Sequence, residues 1–169
     1  MSSKRRNGLG LSVAGLIVVV AAFVYALPSA AADPPPPIVA ETLTARAVFP
    51  DQVDLKIKLK TEGGETVVVN QDDPSRTVVV RYTVQPGAHF PWHTHLGPVV
   101  VNIVSGTLTY QASDDCDGTT YGAGQAFVDA GHGHVHSAFN AGSVPTVFVA
   151  TFFGSPESGA LLIPADPGC

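Results

Sequence analysis

The six histidines of this 169-residue chain are the residues best able to do chemistry. They form two groups: His89, His93 and His95, then His132, His134 and His136. Residues two apart on an extended strand point to the same face. His93 and His95 therefore aim together, and so do His134 and His136 where their segment is extended. Neutral imidazole is a preferred ligand for Zn, Cu, Fe and Ni. Histidines converging from neighbouring strands could supply three or four nitrogens at the roughly 2.0–2.1 Å that a zinc site requires. A single histidine is usually a surface or core residue, but two such groups form a metal-site pattern.

The elements that would carry them read as short strands. Val53 to Lys60 alternates apolar and charged residues, which predicts a half-buried strand with its lysines in water. Thr66 to Val69 is a β-branched return strand after the Gly63-Gly64 turn, and Asp72 to Ser75 is a second turn. Further strands are predicted at Ala45–Phe49, Thr77–Val84, Val99–Val104, Thr107–Gln111, Gln125–Asp129, His134–Asn140 and Pro145–Phe153. The acidic run Asp114 to Gly118 reads as a hairpin tip. No amphipathic helix and no internal repeat is visible. Short strands separated by Gly, Pro, Asn and Asp indicate an all-β barrel or sandwich.

Residues 1–32 read as an export leader. Lys4, Arg5 and Arg6 precede the apolar stretch Leu9 to Leu27, and Ala30 and Ala32 provide the small-x-small cleavage pattern. The alternative is a retained anchor, since about 19 apolar residues can just span a bilayer. A Pro-rich linker is expected over residues 33–44 and the β-domain over 45–169. Either reading places the domain outside the cytoplasm, as a secreted or membrane-anchored protein. Cys116 and Cys169 are the only cysteines, and in an oxidising compartment an even count suggests one disulfide. The net charge of −5 and the lack of a basic stripe beyond the first residues argue against nucleic-acid binding. No Gly-x-Ser-x-Gly elbow is present, which argues against a triad hydrolase.

Two segments carry a family resemblance. Gly87, His93-Thr94-His95 and Val99 to Gly106 resemble the first cupin motif, in which His-x-His is followed by Glu and then Gly. Val99 stands in the place of the Glu. Gly124 to Asn140 resembles the second motif, with His136 and Asn140 matching its His and Asn, and with Gly131 in place of its Pro. The resemblance covers roughly residues 50 to 155 and implies a single jelly-roll barrel with one divalent metal ion inside (Zn, Fe, Mn, Cu or Ni). It implies ligands at His93, His95 and His136, and no carboxylate ligand, because Val99 cannot provide one. With three neutral ligands the site is expected to keep its full dipositive charge and to favour anions. His134 is a candidate further ligand or supporting partner, and His89 could approach the pocket mouth. His132 reads as a loop residue and Trp92 as outward-facing, at a packing or subunit contact. Val99, Val101 and Ile103 are expected to form the pocket wall. Tyr82, Tyr110, Tyr121 and Gln125 are candidate polar groups. Gly131 and Gly133 are expected to serve tight backbone geometry.

The resulting expectation is an exported metal-binding protein. It would be a metal-dependent oxygenase, isomerase or lyase acting on a small anionic or enolisable molecule. The alternatives are a non-catalytic module that captures a metal or small ligand, and a barrel that its metal only stabilises. The expected partners are a small-molecule ligand and a second copy of the chain; the membrane is a partner only if the leader is retained.

Overall fold

The computed structural model describes residues 37–60 and 66–167. The leader, the cleavage pattern and Cys169 lie outside the described residues. The described residues contain twelve strands and no helix. They are β1 (Ile38–Val48), β2 (Asp54–Lys60), β3 (Thr66–Asp72), β4 (Arg76–Val84), β5 (His93–Thr94) and β6 (Val99–Ser105). After these come β7 (Thr107–Ala112), β8 (Asp115–Gly122), β9 (Ala126–Asp129), β10 (His136–Phe139), β11 (Thr146–Phe153) and β12 (Ile163–Pro164).

Two five-stranded antiparallel sheets form the jelly roll, in the orders β1-β4-β11-β6-β9 and β12-β5-β10-β7-β8. The pairing of β2 with β3 makes a separate hairpin. Period-two alternation builds the core. Val78, Val80, Tyr82 and Val84 of β4 point inward, as do Val99, Val101 and Ile103 of β6 and Phe148, Ala150 and Phe152 of β11. Leu108 and Ala138 meet them from the second sheet. Leu108 is 1% exposed, so both sheets close on it without a gap to solvent.

Asn140 and two loops lock the barrel. The Asn140 side chain is fully buried and donates from Nδ2 to the carbonyls of Val84 (3.0 Å) and Val144 (2.8 Å). Its Oδ1 accepts from the Gly142 amide at 2.9 Å. At Gly131, a side chain would place its Cβ 2.1 Å from the Gly97 carbonyl oxygen, and φ is +64°. Only glycine fits there, and this close approach seats the 129–134 loop on the 95–97 loop. The His132 amide donates to the His95 carbonyl at 2.9 Å across the same contact.

Several elements differ from the sequence reading. Residues 38–44, read as linker, belong to β1, which pairs with β4 from Ile38↔Val84 onward. The adjacent prolines and the exposed, non-alternating pattern of β1 hid it. The acidic run starts at the tip of the β7–β8 hairpin, where Ala112 pairs with Asp115 across the Ser113-Asp114 turn, but from Asp115 it is already strand β8, and Gly118 carries it past Tyr110 at φ +70°. The strand expected from His134 begins at His136, so strand alternation does not govern His134. The two-residue strands β5 and β12 are too short for any periodicity to reveal.

Candidate metal centre

β5 and β10 run side by side with His93 and His136 as direct partners. His95 follows two residues after His93, in the loop before β6. Each of the three side chains is 5% exposed or less. Their ring centroids lie 4.3 Å (His93–His136), 4.8 Å (His93–His95) and 5.1 Å (His95–His136) apart. One nitrogen from each falls within 4.8 Å of the others.

Each ring is oriented through Nδ1. His93 Nδ1 donates to the Pro91 carbonyl at 2.6 Å, and His95 Nδ1 to the Leu161 carbonyl at 2.9 Å. His136 Nδ1 lies 3.2 Å from Asp129 Oδ2 and 3.4 Å from the His134 carbonyl. A proton held on Nδ1 leaves the Nε2 lone pair of each ring free to coordinate. Burial, together with the neighbouring His136, lowers the His93 pKa to about 4. Burial lowers that of His136 to about 4 and also depresses that of His95. All three rings are therefore neutral at pH 7, the state in which imidazole binds metal. The donor set fits one divalent ion of the Zn, Fe, Cu or Ni kind.

Sequence reasoning missed Asp129. Its side chain is 1% exposed, and it stands on β9 directly opposite Val99. Oδ2 accepts from Tyr110 Oη at 2.6 Å and from His134 Nδ1 at 3.0 Å, besides facing His136. Oδ1 accepts from the Gly131 amide at 2.9 Å. Burial alone would raise its pKa; the hydrogen bonds of His134 and Tyr110 and the nearby His136 instead hold it at about 2. An ionised carboxylate thus rests against one of the three imidazoles, and a centre here would not carry an uncompensated double charge. The expected preference for anions loses its basis. No local pattern marks Asp129, because its role depends on the register of β9 against β6.

The other candidates divide. His134 lies beside the cluster: bonded to Asp129, with Nδ1 also 3.1 Å from Tyr110 Oη, it supports the carboxylate. The Asp129 bond is the main cause of its raised pKa. His89 is exposed and stacks on Phe139 with centroids 5.0 Å apart, away from the cluster. It is bridged to Phe139 between the buried Ala88 and Phe90, so local alternation turns it outward. His132 is exposed at φ 51°, and Trp92 is half-buried. Val99 and Val101 line the cavity next to the histidines, whereas Ile103 lies in the core further along β6, where the register against β11 shifts. Tyr82 and Tyr110 line the cavity too. Tyr121 stacks on Phe127 at 4.5 Å, and Gln125 Oε1 accepts from the Gly122 amide, so both are structural.

The C-terminal segment closes one side. Leu161 provides the carbonyl for His95, Leu162 lines the cavity, and β12 pairs with β5 through Pro164↔His93. Arg46 of β1 holds this segment by bonding the Pro156 and Gly159 carbonyls. Cys116 is not a free thiol. Its expected partner Cys169 lies outside the described residues.

A family model described as a cupin domain matches residues 80–152. No curated protein matches the chain. Among solved structures, the polyketide cyclase RemF from Streptomyces resistomycificus is 16% identical over 53% of this chain and 61% of its own, with a TM-score of 0.46. A cupin 2 conserved barrel domain protein from Leptotrichia buccalis is 13% identical over 69% of this chain and 40% of its own, with a TM-score of 0.46. The cupin domain of an XRE family transcriptional regulator from Enterobacter cloacae is 19% identical over 72% of this chain and 100% of its own, with a TM-score of 0.46. The chain spans less than two thirds of the cyclase and of the Leptotrichia protein. Similarity of this degree says nothing about activity.

Proposed function

This chain belongs to the cupin family, and from that premise we propose that it is a metal-dependent enzyme working outside the cytoplasm. His93, His95 and His136 hold one divalent ion with at least one position open to a small enolisable molecule. The observation that carries this reading is the engagement of all three Nδ1 atoms, by the Pro91 and Leu161 carbonyls and by the His134 carbonyl beside Asp129, in a buried cluster where one nitrogen of each ring lies within 4.8 Å of the others. A structural site is usually closed by four protein ligands, whereas three leave room for a substrate.

When bound, the ion supplies Lewis acidity, polarising a ligand oxygen and stabilising an enolate-like charge. The protein does the rest. Phe148 and Phe152 of β11 and Val99 and Val101 of the adjacent β6 line the cavity together, and with Phe90 they exclude water from it. Asp129 holds His136 in its Nδ1–H form, and Tyr110 and His134 hold Asp129. A second reading, capture without turnover, draws support from the same network. Tyr110 donates its proton to Asp129, and Asp129 accepts from several donors, so neither is a free acid or base.

Mass-spectrometric metal analysis of the exported full chain tests the centre, with about one ion per chain expected. A chain without metal after loading with Zn or Fe(II) defeats the proposal. Oxygen uptake or product formation with enolisable substrates separates turnover from capture. N-terminal sequencing beginning near Asp33 would support export with cleavage, and an intact Met1 in membranes would support the anchor.

A further inference from the structure

The three histidines decide where a ligand's oxygens would go; the remainder of the cavity decides which molecules reach them. The empty space among its lining residues, open solvent at the mouth included, is about 420 Å³, of which about 40 Å³ admits the centre of a water-sized molecule. Its wall is mostly hydrocarbon, with Phe90, Val99, Leu108, Phe127, Phe148 and Leu162 among the lining residues. No Lys or Arg among the described residues lines it. The described cations are engaged or exposed elsewhere. Arg46 holds the C-terminal segment, Arg76 and Arg81 pair with Glu157 and Glu41, and Lys56, Lys58 and Lys60 face solvent on β2. The one lining residue with a fixed charge is Asp129. Tyr110, His134 and His136 face its Oδ2 and the Gly131 amide donates to its Oδ1, an arrangement that favours the charged carboxylate.

A bound divalent ion would attract an anion, but the Asp129 charge beside it offsets part of that attraction, the hydrocarbon wall strips the anion's hydration, and no protein cation lines the cavity to compensate. An uncharged molecule gives up less hydration on entering. Resting on the metal reading above, we propose that the site selects small, largely hydrocarbon molecules that are uncharged in solution and carry two adjacent oxygens. Asp129 and the cation-free wall reject dianions and phosphate esters. Asp129 is thus a specificity-determining residue that acts by its field on the ligand and through His136.

The test uses the zinc-loaded full chain, with its zinc content verified first. Calorimetric titration compares maltol, an uncharged hydroxypyranone with two adjacent oxygens, against oxalate and glycerol phosphate. Maltol is expected to bind at least about tenfold tighter than either anion, the reverse of what the charge of a bare dication favours. Asp129→Asn should move the ratio toward oxalate by about tenfold. Since that variant disturbs a buried network, Leu162→Lys provides an independent arm. It places a cation on the half-exposed rim, leaves the network intact, and should move the ratio the same way. Oxalate binding as tightly as maltol to the zinc-loaded wild type overturns the inference and leaves the metal reading standing. An unchanged ratio in Leu162→Lys also overturns it. A chain that retains no zinc overturns the metal reading and this inference with it.

Discussion

Removing metal from this protein should make it sensitive to mild acid. His93 and His136 have pKa values of about 4 in the fold, against an ordinary 6.5. The unfolded chain therefore binds more protons than the native one between those values, and stability falls as pH drops through that window. Between pH 7 and pH 5, a shift of this size removes about 2 kcal/mol per residue, so the pair costs about 4 kcal/mol. His95 is shifted in the same direction and adds to the loss. Asp129, held at about 2, stays ionised throughout the window and contributes almost nothing to the change. His134, raised by its bond to Asp129, opposes the trend as it gains its proton. The loss is a large part of the roughly 5–15 kcal/mol that holds a typical domain together. Urea unfolding of the chelator-treated full chain at pH 7, 6 and 5 measures it. A metal-free protein whose stability changes by less than about 1 kcal/mol over that range would refute the reasoning, because the buried rings would then be free to take protons in place.

His95→Ala should strip most of the metal, since two imidazoles form a weak site; full occupancy on mass analysis would move the coordination elsewhere. Asn140→Ala should cost about 3 kcal/mol in denaturant midpoint analysis, because it leaves the buried Val84 and Val144 carbonyls without donors. Leu108→Ala should destabilise by about 3–5 kcal/mol, the range for emptying a fully buried leucine site, read by the same unfolding assay. Thiol labelling of the unreduced, unfolded chain should find no reactive cysteine if Cys116 and Cys169 are joined, and two if they are not.

The histidine cluster was legible because its signal is local. His93 and His95 are two apart, and His136 ends a Gly-rich turn that the sequence displays. The core strands were legible as short apolar and β-branched runs bounded by turn residues, and their alternation appears in the burial of β4, β6 and β11. What stayed hidden depends on distance along the chain. Asp129 gains its role from facing Val99 across a strand pair, and Leu161 from a carbonyl delivered to His95 over 66 residues. A backbone carbonyl has no sequence signature. β1 escaped notice because it is an exposed strand next to prolines, without the alternation that reveals a strand. His134 was singled out by its spacing, but the turn before β10 directs it to Asp129 and not to the cluster.

The delivery of the Leu161 carbonyl to His95 has a consequence for the order in which the molecule is made. A growing chain that has emerged only as far as Asn140 already contains all three imidazoles and the carboxylate. It still lacks the residue that orients His95 and the strand that pairs beside His93. Until residues 161–164 have docked, the His95 ring lacks the acceptor that aims it, and β5 lacks one of its two neighbours. Docking of that segment is therefore the event that completes the pocket.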